Sequence, residues 1–462
     1  MLPLWNPEIA LDAARFCEDQ RRQWSNEMTT EELGAWQERG VAATFDHCRA
    51  GSEFYREHLR GLETPSSLAD LQQIPFTTKD DLRAHLDAVA SLPLGQAWVY
   101  YETTGTTGVA TPCPRTTGDS IRTGAALVNG YRQLLEPYGE NLVFAVMGPT
   151  ELHSTGDTFG DVLRSLGHAT VKMWPHSPLV GFERACNLIK RLGVNALICT
   201  PGMTILLARE MLNRGIRPES LGIKVILTVG ELASEGLLTA IGHTWGADVH
   251  SCMYASQEAS ILAVCQANGV LRSTPLNYFY ELIDPQSGEV LDSGADARQG
   301  ELVVTHLYQG AKPLLRYRTG DLVRIDGHGQ DFELTPIGRV RDIVRVRDRN
   351  YFALDFERQL LQFAPRFLDY QVSIARDEFG DDRLDVVFEP GPFASESLVS
   401  YASYATQAFD VPVTATWGPT DARTATGAMV SWKAARIRDD RNDGFEERSS
   451  IRLAVARAGS SR

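Results

Sequence analysis

Between Asn141 and Met253 the chain alternates short apolar runs with longer amphipathic ones, and that alternation limits the folds open to it. The runs 142–147, 170–174, 196–200, 224–229 and 248–253 have strand length. The stretches DVLRSL, ERACNLIKRL, MTILLAREML and EGLLTAIGHTW between them have helical spacing. Strand alternating with helix predicts a mostly parallel sheet covered on both faces, with ligands at the carboxyl ends of the strands. The loops after 142–147, 196–200, 224–229 and 248–253 are therefore where a site is expected.

The flanks differ. The first hundred residues read as helical, with a capping box at Thr29-Thr30-Glu31-Glu32 followed by Trp36, Val41, Phe45 and Cys48 at helical spacing. Beyond Gly300 the pattern is strand-rich. After Gly338 a second unit follows, with strands at IVRVR, YQVSIAR, LDVVFE and VPVTATW and helices at ALDFERQLLQF and ASESLVSYASYATQAF. At 462 residues the chain exceeds one ordinary core. The expected class is α/β: a large domain over 1–337 with mostly parallel sheets flanked by helices, a junction at 338–342, and a small α+β domain over 343–462.

A net charge of −14 opposes the diffuse attraction on which nucleic-acid binding relies, so no nucleic-acid partner is expected. The seven cysteines are scattered without a CxxC and read as reduced, packed thiols. No signal-peptide pattern and no apolar run of about 20 residues is evident, so no membrane association and a cytoplasmic location are expected.

Chemistry is first suggested by YYETTGTTGVATP. Thr103, Thr104, Gly105, Thr106, Thr107 and Gly108 offer backbone N–H groups and hydroxyls that can surround a polyphosphate without side-chain bulk. The segment lacks the Lys of a Walker A loop. Alone, such a cluster is more often a plain turn.

The loop resembles the phosphate loop of the adenylate-forming superfamily of acyl-CoA synthetases and adenylation domains, and Ile74-Pro75-Phe76-Thr77-Thr78-Lys79-Asp80-Asp81-Leu82-Arg83 resembles its phenylacetate-CoA ligase branch. Gly230-Glu231, Tyr254-Ala255-Ser256-Gln257-Glu258, Tyr317-Arg318-Thr319-Gly320-Asp321 and Gly338-Arg339-Val340-Arg341-Asp342 follow in the family's order. The resemblance implies an enzyme that adenylates a small, aromatic carboxylic acid with ATP, releases pyrophosphate, and transfers the acyl group to an acceptor. It implies that Gly230 and Glu231 edge the adenine, that Tyr254 stacks on it, that Gln257 stands beside the α-phosphate, that Asp321 accepts the ribose hydroxyls, and that Arg339 reaches the ribose or phosphate. It further implies Glu258 as the Mg²⁺ ligand, Thr104 among the phosphate contacts, and Lys433 as the mobile lysine of a swinging C-terminal domain. The acid pocket is expected from Gly148 and His153 and from Thr200 and Pro201.

Departures from the pattern bear on the second step. Val109 replaces a lysine that commonly follows the loop, leaving Lys433 or Arg115 to compensate. Asp348 stands where relatives carry a glycine that approaches the thiol donor, and its charge would repel an anionic coenzyme A. Trp432 replaces a glycine before Lys433. No zinc is expected, because Cys265 has no Cys-Pro-Cys-Gly partner after the ribose motif. The acceptor is coenzyme A, an amine or a carrier thiol. An amide-forming or N–N bond-forming synthetase and a non-catalytic nucleotide-binding protein are the alternatives, and a homodimer is compatible with either.

Overall fold

Four strands of the expected alternation pair in parallel: Val143–Val146, Ala196–Cys199, Val225–Thr228 and Asp248–Ser251. Ala169–Lys172 flanks the first of them, completing a five-stranded sheet. These elements are taken from a computed structural model, which describes residues 6–103, 109–291, 297–327, 329–393, 396–420 and 436–441. Every residue of Ala196–Cys199 and Val225–Thr228 is buried. A parallel strand covered on both faces has no solvent side, which is why these segments read as unbroken apolar runs.

The last expected strand, 248–253, divides at Cys252. Asp248–Ser251 ends the parallel sheet, whereas Met253–Ser256 forms the edge of a second, seven-stranded sheet. That sheet has the order Tyr278–Ile283, Ala297–His306, Tyr317–Asp326, Glu333–Arg339, Leu271–Ser273, Ser260–Cys265, Met253–Ser256, and its described pairings are antiparallel. Spacing cannot reveal such a switch of sheets, because DVHSCM has no glycine or proline to mark where one strand ends and the next begins.

The chain separates into two compact units. One comprises Met1–Asn141, Pro149–Thr170 and Cys252–Pro336, and the other Leu142–Gly148, Val171–Ser251 and Ile337–Arg462. In the first unit the helix Thr30–Gly51 begins at the expected capping box, with Thr29 and Glu32 satisfying each other's backbone N–H groups. The helix Thr117–Leu135 approaches the strand Ser260–Cys265 at Gly130, where a Cβ would stand 2.5 Å from Val264. Only glycine permits that approach.

In the second unit, Val413–Trp417, Asp382–Glu389, Asp369–Arg376 and Ile437–Asp439 form a four-stranded sheet accompanied by the helices Ala353–Leu361 and Val399–Phe409. This is the α+β pattern expected after Gly338. Its core is continuous with that of the parallel sheet: Leu237, Ile241 and Trp245 belong to one buried cluster with Phe356, Leu360 and Phe388. The polar seam is equally specific. Glu357, fully buried, accepts from the Ser234 N–H at 2.5 Å and from the Tyr370 hydroxyl at 2.5 Å. Arg209 bridges Asp369 and Glu389 at 2.9 and 2.6 Å. Among the described residues no helix is long and apolar enough to cross a membrane.

Removing the Glu357 carboxylate strands two buried donors at once. Glu357→Ala is expected to lower the unfolding free energy by about 2–4 kcal/mol, read from urea or guanidinium unfolding. An unchanged denaturation midpoint would show that this seam carries no stability.

Candidate functional site

The turn that follows the strand Met253–Ser256 gathers most of the first unit's candidate chemistry. Glu258 is almost wholly buried, yet its carboxylate lies 2.8 Å from the Lys79 ammonium. Burial by itself would raise the Glu258 carboxyl, but the Lys79 charge and hydrogen bond outweigh it and hold the group below the ordinary carboxylate value. Lys79 is the first residue of the helix Lys79–His85, whose N-cap Thr78 exchanges a capping box with Asp81. Sequence reasoning had this lysine within a quoted motif but assigned it no role. The pairing joins residues 179 positions apart, and spacing carries no signal for it.

Arg115 fixes the same turn from the other side. Its buried guanidinium donates to the carbonyls of Gln257 and Glu258 at 2.6 and 3.4 Å, so it is already engaged and acts as a clamp on the turn. The Gln257 side chain accepts from the Ser154 hydroxyl at 3.1 Å, while its Nε2 is buried without an acceptor among the described residues. Tyr254 lies within the edge strand, not beyond a parallel one, and its hydroxyl donates to Asp321 at 2.8 Å. Two motifs separated by 67 residues thus meet.

The candidate phosphate loop is closed by a hairpin. Val99–Glu102 pairs with Pro112–Arg115, and beyond the last pair, Glu102 with Pro112, Thr103 and Thr111 exchange further hydrogen bonds. Thr104, Gly105, Thr106, Thr107 and Gly108 lie outside the described residues, as does Lys433. Val109 is exposed. His153 sits nearby in sequence to Ser154, its Nδ1 2.8 Å from the Thr155 hydroxyl, and burial lowers its pKa, so it is neutral at pH 7.

The second unit brings together Thr200, Pro201, Gly230 and Glu231. Thr200 caps the helix Pro201–Asn213 by accepting from the Met203 N–H. The buried Glu231 carboxylate accepts from the Gly202 N–H at 2.9 Å in that helix's first turn, where the dipole favours negative charge. Burial nevertheless raises the Glu231 carboxyl, with Arg436, 3.8 Å away, opposing the rise. Gly230 has φ +84° and a Cβ there would stand 3.6 Å from Thr200, so glycine gives the turn its shape. Gly148 is buried, and Arg339 is exposed at the end of its strand. Asp348 is exposed in the two-residue turn between Val344–Val346 and Arg349–Tyr351.

No family model matches the chain. The phenylacetate-coenzyme A ligase of Thermus thermophilus is 27% identical over 392 residues, covering 79% of this chain and 83% of the relative. The crystal structure of 2-hydroxyisobutyryl-CoA ligase in its postadenylation state with 2-HIB-AMP superposes with a TM-score of 0.71 at 18% identity, covering 94% and 93% of the two chains. An acyl acid amido synthetase in complex with 2,4-DB superposes with a TM-score of 0.64 at 13% identity, covering 98% of each chain. These structural likenesses are likenesses of fold, and the sequence relatives are ligases by name. The chain is thus similar in sequence to phenylacetate-coenzyme A ligases and in fold to acyl-CoA and acyl acid amido synthetases.

The Lys79–Glu258 pair gives a pH test. A carboxyl held below its unfolded value contributes stability above that unfolded value and loses it as pH falls through the folded one. Lys79→Met leaves the buried carboxylate without its partner. The variant is therefore expected to be less stable than the parent at pH 7, with the difference shrinking as acid neutralises Glu258. A difference independent of pH from 7 to 4, by chemical denaturation, would show that the pair carries no charge coupling.

Proposed function

We propose that the chain activates a small aromatic carboxylic acid with ATP and passes the acyl group to coenzyme A. The observation that carries this reading is the Gln257–Glu258 turn, which puts a buried amide donor without an acceptor among the described residues beside a buried carboxylate held ionised. An anion oxygen satisfies the first, and a hard divalent cation suits the second. Mg²⁺ held by Glu258 would neutralise charge on the phosphate oxygens. Tyr254 and Asp321, joined at 2.8 Å, fit the base and ribose of the same nucleotide. By the resemblance, Glu231, Gly230 and Arg339 are the further nucleotide-contacting residues of this reading, and Gly148, His153, Thr200 and Pro201 its acid-binding residues.

In the first step the acid's carboxylate oxygen attacks the α-phosphorus in line, the bond to the β-phosphate oxygen breaks, and acyl-AMP and pyrophosphate result. Thr103, Thr104, Gly105, Thr106, Thr107 and Gly108 hold the phosphates, and Lys433 meets the charge that develops. In the second step the thiol sulfur attacks the acyl carbon and AMP leaves with the bonding pair. This assigns 1–337 to adenylation, 338–342 to a hinge and 343–462 to a domain that moves between steps. The Thermus relative's name supports both the arylacetic acid and the coenzyme A.

A second acceptor class is favoured by Asp348, whose exposed carboxylate at the hairpin tip would repel an anionic thiol cofactor. An amine acceptor, giving an amide, avoids that repulsion. The amido synthetase shows that the fold serves this chemistry.

Acid-dependent pyrophosphate release across a panel of aryl acids tests the first step. Glu258→Gln or Asp321→Ala should reduce it by about a hundredfold or more. ATP binding without pyrophosphate from any acid would leave only a nucleotide-binding protein. Mass spectrometry of the product decides the acceptor: a thioester supports coenzyme A, and an amide alone refutes it. Asp348→Gly should raise kcat/KM for coenzyme A by about threefold or more while leaving that for ATP unchanged, and no change would sink the repulsion argument.

A further inference from the structure

Asp321 and its two predecessors stand on a break in strand pairing. Where Tyr317–Asp326 runs beside Ala297–His306, Leu322 pairs with Glu301 and Arg318 with Val303. Leu302 therefore stands against Thr319, Gly320 and Asp321, a bulge in which three residues oppose one. A bulge re-aims a side chain, and it leaves backbone groups that the ladder would otherwise satisfy. Gly320 takes φ +72° at its centre, a conformation that glycine adopts without strain.

Glu301 replaces what the ladder loses. It is almost wholly buried, and one carboxylate oxygen accepts from the Gly320 N–H at 3.3 Å and from Nε of Arg318 at 3.1 Å, while Nη2 of Arg318 donates to the other. One side chain thus grips the bulge at its centre and at the residue before it. Thr319 closes the remaining gap: its hydroxyl donates to the Leu302 carbonyl at 2.8 Å and accepts from the Asp321 N–H at 3.1 Å. Arg318 is itself anchored, its backbone N–H donating to the Thr77 carbonyl at 2.9 Å and its Nη2 to that of Pro285 at 3.2 Å. A carboxylate withdrawn from water for one ion pair gains little net stability, so the contribution of Glu301 lies in the shape it imposes. That shape sets where Asp321 begins, and Tyr254 sets where its carboxylate ends by donating to it at 2.8 Å.

We propose that Glu301 is a positioning residue for the nucleotide's ribose, bracing the bulge at 319–321 so that the Asp321 carboxylate meets both ribose hydroxyls. The proposal rests on the adenylating function argued above, in which Asp321 takes the ribose. Glu301 touches neither the nucleotide nor the reacting atoms, and acts through the backbone at Gly320. Its effect is therefore confined to the ribose, and a nucleotide lacking the two hydroxyls is indifferent to it.

The test compares ATP with 2′,3′-dideoxy-ATP, each titrated calorimetrically with Mg²⁺ into the full chain. The parent is expected to bind ATP about tenfold or more tighter, because hydrogen bonds to a charged acceptor are among the stronger ones. In Glu301→Ala that preference is expected to fall to about threefold or less, while the affinity for the dideoxy nucleotide stays within about threefold of the parent's. Glu301→Gln, which keeps the size and one acceptor, should fall between the two. In an Asp321→Ala background, Glu301→Ala should change the preference no further. Equal losses for both nucleotides, or an undiminished preference in Glu301→Ala, would reduce Glu301 to a partner for Arg318. Should Glu301→Ala fail to fold, Glu301→Gln decides: a preference lowered by about threefold or more supports the proposal, and an unchanged one overturns it. A parent that binds both nucleotides equally refutes the ribose role of Asp321 itself, and is thereby distinguishable from failure of this inference.

Discussion

A carboxylate that is buried and kept ionised makes demands on everything around it, and the first unit is organised to meet those made by Glu258. Desolvation pushes such a group toward its neutral form, so its charge survives only where opposite charge is close and fixed. Lys79 provides the charge, and the capping box of its short helix fixes where that lysine starts. Arg115 clamps the backbone on which Glu258 is carried, and Ser154 holds the neighbouring Gln257. Three separate stretches of chain therefore converge on a turn carried by a fourth.

The second unit solves a related problem with different parts. Glu231 lies at the start of the helix Pro201–Asn213, where the Gly202 N–H, the helix dipole and the approaching Arg436 favour its charge, yet desolvation prevails and raises its carboxyl. Beneath it, Glu357 ties Ser234 to Tyr370. Residues 231–235 are thus held both by neighbouring backbone and by side chains of the α+β segment.

Much of this architecture was legible because it follows from periodicity. The fully apolar runs at 196–199 and 225–228 became buried parallel strands, Thr29 and Glu32 formed their capping box, and the strands and helices after Gly338 formed the small α+β sheet. The division of 248–253 at Cys252 was not legible, because DVHSCM contains no glycine or proline at the point where the chain leaves one sheet for the other. For the site, spacing ordered the motifs but could not reveal their partners. Tyr254 with Asp321, and Glu258 with Lys79, are long-range pairings that only folding brings together.

Glu301 illustrates the same limit from the opposite direction. In sequence it is one glutamate between Gly300 and Leu302, indistinguishable from a carboxylate on a solvated face, and the resemblance drew attention only to the motif at 317–321 that it braces. The structure turns the question round, since a carboxylate buried beneath a bulge needs a reason while an exposed one needs none.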